Sequence, residues 1–443
     1  MRSRSMFSLT FVLLVFAFPA AAQDLRQVFR DAKAYDAQYA AARYALQAGL
    51  EKLPQGRALI LPTLNLTAGA THTDQEFRPK SAEIASLDRD FRSQNYLLSF
   101  TQPVFRRQNT LQYNQAEFQV KQAEAVFGQA GQDLIVRVAQ AYFDLLSADD
   151  SLTLVRAQKT AIGEQLEQAK RNFEVGTATI TDTHEAQSRF DLTAAQEIVA
   201  QNEVDTKRRA LQQLTGKEYG ALRALRSQIK LTPPNPPIMQ SWVDIAEKQG
   251  YPVLIQESVT EIAQLEAKRQ VAGHYPTLDL VGTRSYNDQN SPSTSGIAGR
   301  QTTSTISLQL AVPLYAGGAI NSREREAAAN HEKSKQDLEN ARRGSALATR
   351  QSYLLVINGI AVVGALEQAL ISSQSALDSN KLGYEVGVRI NIDVLNAQQQ
   401  VFLTRRDLLV ARYGTIMNHF RLKAAAGTLR EEDLEEVNRA LEP

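Results

Sequence analysis

Cysteine is absent from the chain. That excludes disulfide staples, thiolate metal ligands, a cysteine nucleophile and an N-terminal cysteine for lipid attachment. Histidine is sparse: His72, His184, His274, His331 and His419 are scattered, and no two have the spacing of a helical metal site. No phosphate loop, dinucleotide fingerprint or nucleophile elbow is present, so neither an enzyme nor a bound metal or cofactor is expected. Neither sign of charge is in surplus, with 49 Lys and Arg against 48 Asp and Glu, which leaves no field to attract nucleic acid. Proline is missing from two tracts of equal length, the 129 residues between Pro103 and Pro233 and the 129 between Pro313 and Pro443.

Long apolar runs are confined to the start. "MRSRSMFSLTFVLLVFAFPAAAQ" has a basic leader (Arg2, Arg4), an apolar stretch from Met6 to Phe18 and small residues at Ala20 and Ala22. This pattern predicts a secretory signal over residues 1–22, too short to span a membrane and ended by Pro19. Its removal takes the formal charge from +1 to about −1, since it carries two arginines. No second run of eighteen apolar residues follows, so no spanning helix is expected.

The equal proline-free tracts belong to a duplication. "FEVGTATITDTHEAQ" (Phe173 to Gln187) and "YEVGVRINIDVLNAQ" (Tyr384 to Gln398) match at six of fifteen positions with an offset of 211. "LPTLNL" at Leu61 answers "YPTLDL" at Tyr275, and "LSFTQPVF" at Leu98 answers "LQLAVPLY" at Leu308. The chain is therefore two units, 23–216 and 242–427, joined by a proline-rich linker over 217–241 and followed by a short tail over 428–443.

Within the first unit, seam positions from Ala116 to Phe173, apolar except for Lys159, recur at steps that alternate almost strictly between four and three. That is a coiled-coil seam of about 58 residues, roughly 87 Å long. It stops at Gly176, as its counterpart stops at Gly387, where glycine can take the left-handed conformation that ends a helix. Asp182 followed by Glu185 has the spacing of a capping box, so the chain turns back as a helical hairpin over 106–214, repeated over 318–425. Each returning helix is half as long as its partner. Helices over 24–60 and 242–272 supply the missing halves by end-to-end stacking.

Between the helices the period changes to two. Leu64, Leu66, Ala68 and Ala70 alternate with Asn65, Thr67, Gly69 and Thr71, and similar patterns predict strands over 62–73, 95–104, 276–285 and 303–312. Each has roughly the ~10 residues of a tilted strand across a bilayer, apolar on one face and polar on the other. Long polar loops join each pair, "DQEFRPKSAEIASLDRDFRS" and "YNDQNSPSTSGIAGRQ". Four strands cannot close a barrel, because single-chain barrels start at about 8, and open edges in lipid leave backbone groups unpaired. Three copies would supply twelve.

With these pieces in place the sequence resembles the TolC family of outer-membrane efflux and secretion ducts over essentially the whole mature chain, most specifically in the two tip motifs. The resemblance implies a mainly α fold with a membrane β-barrel: a homotrimer in which long hairpins form an α-barrel in the periplasm above which four strands per protomer share a twelve-strand barrel among outer-membrane lipid. The missing N-terminal cysteine places it in the non-lipidated branch. It further implies passive conduction from an inner-membrane pump, ABC-type or proton-driven, docked through a periplasmic adaptor protein.

In the family, acidic residues on the second hairpin's inner helix ring the closed aperture; here those positions are Asp393 and Asn396, leaving a single carboxylate per protomer. The closed state is held by polar links that, carried onto this chain, join Tyr384 and Arg389 to Thr181 and Asp182. The tips themselves, Val175, Gly176 and Thr177 with Val386, Gly387 and Val388, are where an adaptor would dock. Two other readings compete, a periplasmic adaptor and a structural coiled-coil envelope protein. An adaptor has one hairpin set between small β-domains, whereas this chain alternates two hairpins with strand pairs of bilayer length.

Overall fold

The computed structural model describes residues 23–80, 86–226, 231–290, 298–439 and 441; the leader expected over 1–22 lies outside them. The first half forms α1 (Leu25–Tyr35), α2 (Ala37–Leu50) and α3 (Lys52–Ala58), strands β1 (Thr63–Phe77) and β2 (Leu87–Phe105), and the hairpin α4 (Arg107–Glu174) and α5 (Ile180–Thr215). The second half repeats the order with α6 (Met239–Gln249), α7 (Tyr251–Val271), β3 (Thr277–Gln289), β4 (Gly299–Ala311), α8 (Ala319–Glu385) and α9 (Asn391–Ala425), and ends in α10 (Glu431–Asn438). At 68 and 67 residues, α4 and α8 each run about 100 Å.

Each half-length helix is broken where one continuous helix was expected. The segment 24–60 bends at Asp36, which is extended (φ −60°, ψ 118°), and 242–272 bends at Gly250 with nearly the same angles (φ −60°, ψ 128°). The two breaks lie 214 residues apart, the offset of the first sequence match, so the bend is part of the repeat. At Asp36 the carboxylate caps α2 through the Tyr39 amide (2.6 Å) and receives the Arg137 guanidinium of α4 at 2.9 and 3.0 Å. Asp36 is buried, so the bend is tied to a partner 101 residues away.

The strands overrun their expected ends. β1 and β2 stay in register as far as Phe77 and Leu87, beyond the limits 62–73 and 95–104, and β3 and β4 pair out to Gln289 and Gly299. Much of each expected loop is therefore strand. The ladder continues through polar pairs such as Gln75 with Arg89, where the alternation of apolar and polar residues has already faded.

The sheet order is β1-β2-β3-β4, all antiparallel. One face carries Leu64, Leu98, Leu280 and Ile306; the opposite face carries Asn65, Ser99, Thr283 and Ser307. At the base, Arg106 holds Asp279 of β3 through two bonds (2.8 and 2.5 Å) and so ties the sheet to the start of α4.

The described residues of the linker and tail pack against the helices. Tyr219 and Leu222 are buried, and Tyr219 donates its hydroxyl to Asp31 of α1 (2.9 Å). Tyr353 and Trp242 hold the carbonyls of Pro237 and Pro236, so the proline-rich stretch is packed rather than lying free. The tail over 428–443 contains α10, whose Leu434, with Leu441 beyond it, enters the main core beside Leu25, Val28, Tyr142 and Phe420.

α8 contains an 18-residue window with mean hydropathy 2.0, long and apolar enough to cross a membrane, of which 11% is buried. It lies within the long hairpin, where Asn358 and Glu367 interrupt the run.

Candidate functional site

Both hairpin tips are built by the same backbone device. In the first, the Gly176 amide bonds the Phe173 carbonyl (3.0 Å) and the Thr177 amide bonds the Asn172 carbonyl (2.8 Å), with Gly176 at φ +77°. In the second, Gly387 (φ +77°) bonds the Tyr384 carbonyl (3.1 Å) and Val388 the Gly383 carbonyl (2.8 Å). These are paired Schellman closures, which use the positive φ that only glycine adopts without strain. Val175, Val386 and Val388 are 73%, 65% and 78% exposed, so each tip presents apolar side chains to water.

The returning helices start differently from the expectation. α5 is capped by Thr179, three residues before Asp182: the Asp182 amide donates to Thr179 Oγ1 (3.3 Å) and the Thr179 amide donates to Asp182 Oδ2 (2.9 Å). The capping box is thus Thr179 with Asp182, not Asp182 with Glu185. In the second hairpin the N-cap is Ile390, which has no side-chain cap, and Asp393 sits in the first turn, where a carboxylate suits the helix N-terminus.

This placement changes the links between hairpins. The Asp182 carboxylate is engaged by its own turn, Thr181 is exposed, and Arg389 Nη1 pairs with Asp393 of its own hairpin at 3.6 Å. The expected direct pairing of Tyr384 and Arg389 with Thr181 and Asp182 is therefore not what joins the hairpins within a protomer. Tyr384 accepts instead from Asn172 Nδ2 (3.0 Å). Asn391, 1% exposed, accepts from Gln165 (2.5 Å) and donates to the Asp182 carbonyl (3.5 Å). Arg189 of α5 donates to Asn396 (3.0 Å) and Gln399 (2.6 Å) of α9.

Beneath these polar links, Leu166, Ala169, Ala186 and Leu395 form a small buried cluster. Sequence reasoning missed Asn172, Gln165, Asn391, Arg189 and Gln399. Arg189 lies two residues beyond the quoted first motif and Asn391 sits inside the second, but the bonds they make cross more than 200 residues. A cavity of about 600 Å³ opens between the tips, lined by Asn172, Thr179, Asp182, Tyr384, Arg389 and Asn391, among others. Among the described residues no group of His, Asp and Glu could hold a metal.

The helices are ordered α5, α4, α9, α8 near the tips and α2–α3, α4, α7, α8 nearer the sheet. One lateral edge is thus α5 with α2–α3, and it continues into β1; the other is α8 throughout, preceded by β4. A single rotation that pairs β4 with the next copy's β1 also brings α8 to that copy's α5. Such a protomer is one segment of a closed wall, part sheet and part helix: a membrane duct with a long helical conduit.

The comparisons with known proteins give this class its family. Residues 28–217 and 255–428 match the family described as outer membrane efflux protein, and the chain belongs to that family. It is 33% identical to the outer membrane protein TolC of Vibrio cholerae, over 95% of this chain and 94% of that protein. It is 30% identical to the proteases secretion protein PrtF of Dickeya chrysanthemi, over 96% and 93%. Among solved structures, VceC of Vibrio cholerae superposes with a TM-score of 0.79 at 19% identity, covering 91% of this chain and 96% of that one. The protein is an outer-membrane exit duct for efflux or type I secretion, with a large helical part in the periplasm, and works as a homotrimeric channel with such a system. The family is one of transport ducts, not of enzymes.

Proposed function

We propose that three copies close a passive conduit whose periplasmic entrance is gated by the hairpin tips. The observation that carries this reading is the shared edge order of sheet and helices, which lets one threefold operation seal both barrels. Asp393 and Asn396 line the aperture, and three Asp393 carboxylates near one axis attract cations while repelling one another. Tyr384, Arg389 and Asp182 line the cavity between the tips, with Thr181 next to Asp182 in the chain, and small shifts there bias closed against open. The exposed Val175, Val386 and Val388, with Gly176, Thr177 and Gly387, form the docking end for a periplasmic adaptor, which joins the duct to an ABC-type or proton-driven inner-membrane pump. No energy source is built into the chain.

Relatives named for protease secretion match at 30% and 31% identity over 96% and 91% of this chain, whereas the efflux protein BepC matches at 22% over 68%. That contrast favours secreted protein as one cargo. The test is reconstitution in planar bilayers together with deletion of the gene. A trimer forming discrete channels, and loss of one or more secreted proteins from the culture medium, are expected. A stable water-soluble monomer would overturn the duct reading, and an unchanged secretome with drug hypersensitivity would overturn the protein-cargo reading.

A further inference from the structure

The apolar face of the sheet has measurable limits. On β2, Phe105 and Tyr96 face outward nine residues apart, about 31 Å along the strand and about 24 Å along the membrane normal at a ~40° tilt, which matches the apolar band of outer-membrane barrels. Phe105 lies at the helix end of the sheet and Tyr96 toward the loops. Tyr96 packs against Tyr286 of β3 with ring centroids 6.0 Å apart, a tyrosine rim of the kind that marks a membrane–water boundary.

Arg284 lies inside that rim. It is two residues below Tyr286 on the same outward face, opposite Leu98 on β2 and Ser304 on β4, and it is exposed. β3 is an inner strand, flanked by β2 and β4 of its own protomer, so a neighbouring copy joined at β1 or β4 leaves Arg284 uncovered. Among the described residues it has no hydrogen bond or ion pair, unlike Arg300 beyond the rim, which pairs with Asp288 at 3.1 Å. Arg92 also lies beyond the rim, in water.

A guanidinium on the lipid face is costly unless it reaches the boundary and meets an anion. The rim is about 5 Å away along the normal, within reach of a long side chain that extends toward the headgroups. The loops at this end place the site in the outer leaflet, whose anionic groups are lipid phosphates, and the planar fork of arginine suits two phosphate oxygens.

We propose that Arg284 binds the phosphate of an outer-leaflet glycolipid of the lipid A type, one per protomer and three around the barrel. The test uses purified, delipidated trimer titrated with diphosphorylated lipid A, its dephosphorylated form, or phosphatidylglycerol, with bound lipid counted by native mass spectrometry. The expected result is up to three phosphorylated molecules held per trimer and at least tenfold preference over the dephosphorylated lipid. Arg284→Gln removes that preference, and Arg284→Lys, which keeps a point charge but loses the fork, retains part of it. Equal binding of the two lipid A forms by the unaltered protein, or undiminished preference in Arg284→Gln, overturns the proposal. Tighter binding of phosphatidylglycerol than of lipid A overturns the glycolipid assignment. Should Arg284→Gln fail to trimerise, the comparison of lipids on the unaltered trimer and on Arg284→Lys still decides.

Discussion

Arg189→Ala is the sharpest probe of how the entrance is held. The guanidinium crosses from α5 to α9 and donates to Asn396 at 3.0 Å and Gln399 at 2.6 Å, a direct charged side-chain link between the two hairpins near the tips. Hydrogen bonds to charged groups contribute about 1.5–3 kcal/mol when sheltered, and partial exposure lowers these two to about 0.5–1 kcal/mol each. Each protomer then loses about 1–2 kcal/mol from the joined arrangement. If three protomers open together the loss is about 3–6 kcal/mol, and at 1.4 kcal/mol per factor of ten the closed-to-open ratio falls by about 10²- to 10⁴-fold. Single-channel recording in planar bilayers reads this directly as open probability and conductance, with Arg389→Ala and Asp182→Ala as companions. Because Arg389 pairs within its own hairpin, at 3.6 Å and largely exposed, its removal has the smaller effect within a protomer. An Arg189→Ala channel with unaltered opening would refute the reasoning, since the link would then do nothing to hold the hairpins.

Other outcomes follow from single features of the structure. Asp393→Asn weakens block by multivalent cations, measured as current inhibition from the periplasmic side; equal block in both channels would remove Asp393 from the aperture. Arg137→Met strands the buried Asp36 carboxylate and lowers stability by about 3–5 kcal/mol in denaturant unfolding, and Asp36→Asn in the same chain recovers a large part. A single variant as stable as the parent would show the pair to be dispensable. Glu266, held by Arg269 first and then by Gln115 and Gln270, has its pKa lowered from 4.5 to about 2. Its folded pKa is below the unfolded one, so the stability it gives is complete above the unfolded value and lost as pH falls from about 4.5 toward 2. Thermal unfolding at stepped pH should therefore fall more steeply for the parent than for Glu266→Gln, and parallel curves would contradict this.

A good deal of this molecule is legible in the sequence because its elements are long and repeated. A seam that persists for many turns has no reading other than a long helix, and a glycine in the same setting twice announces two tips. Strands were visible only where one face is apolar, so their hydrogen-bonded extensions beyond the membrane went unseen. The helix breaks at Asp36 and Gly250 were missed for a different reason. Asp36 reads as an ordinary charged residue until Arg137 is brought beside it.

The tail shows the same limit. Leu434 and Leu441 look like the sparse apolar residues of a polar end, yet both are 1% exposed once α10 meets α1. At the tips, the family resemblance implied a latch among Tyr384, Arg389, Thr181 and Asp182, whereas within a protomer the inter-hairpin bonds are made by Asn172, Asn391 and Arg189.

What the sequence determined alone is the duplication, the two hairpins with their glycine turns, the amphipathic strands and, because four strands leave two open edges, the need for further copies. Those follow from periodicity and backbone chemistry, which act between near neighbours. The tertiary structure alone decided the order of strands and helices, the pairing of Asp36 with Arg137 at the bend, which side chains join the hairpins, and that Arg284 stands on the apolar face of the sheet two residues from Tyr286. Each of these depends on groups that lie far apart in the chain, and only the packed fold sets the distance between them.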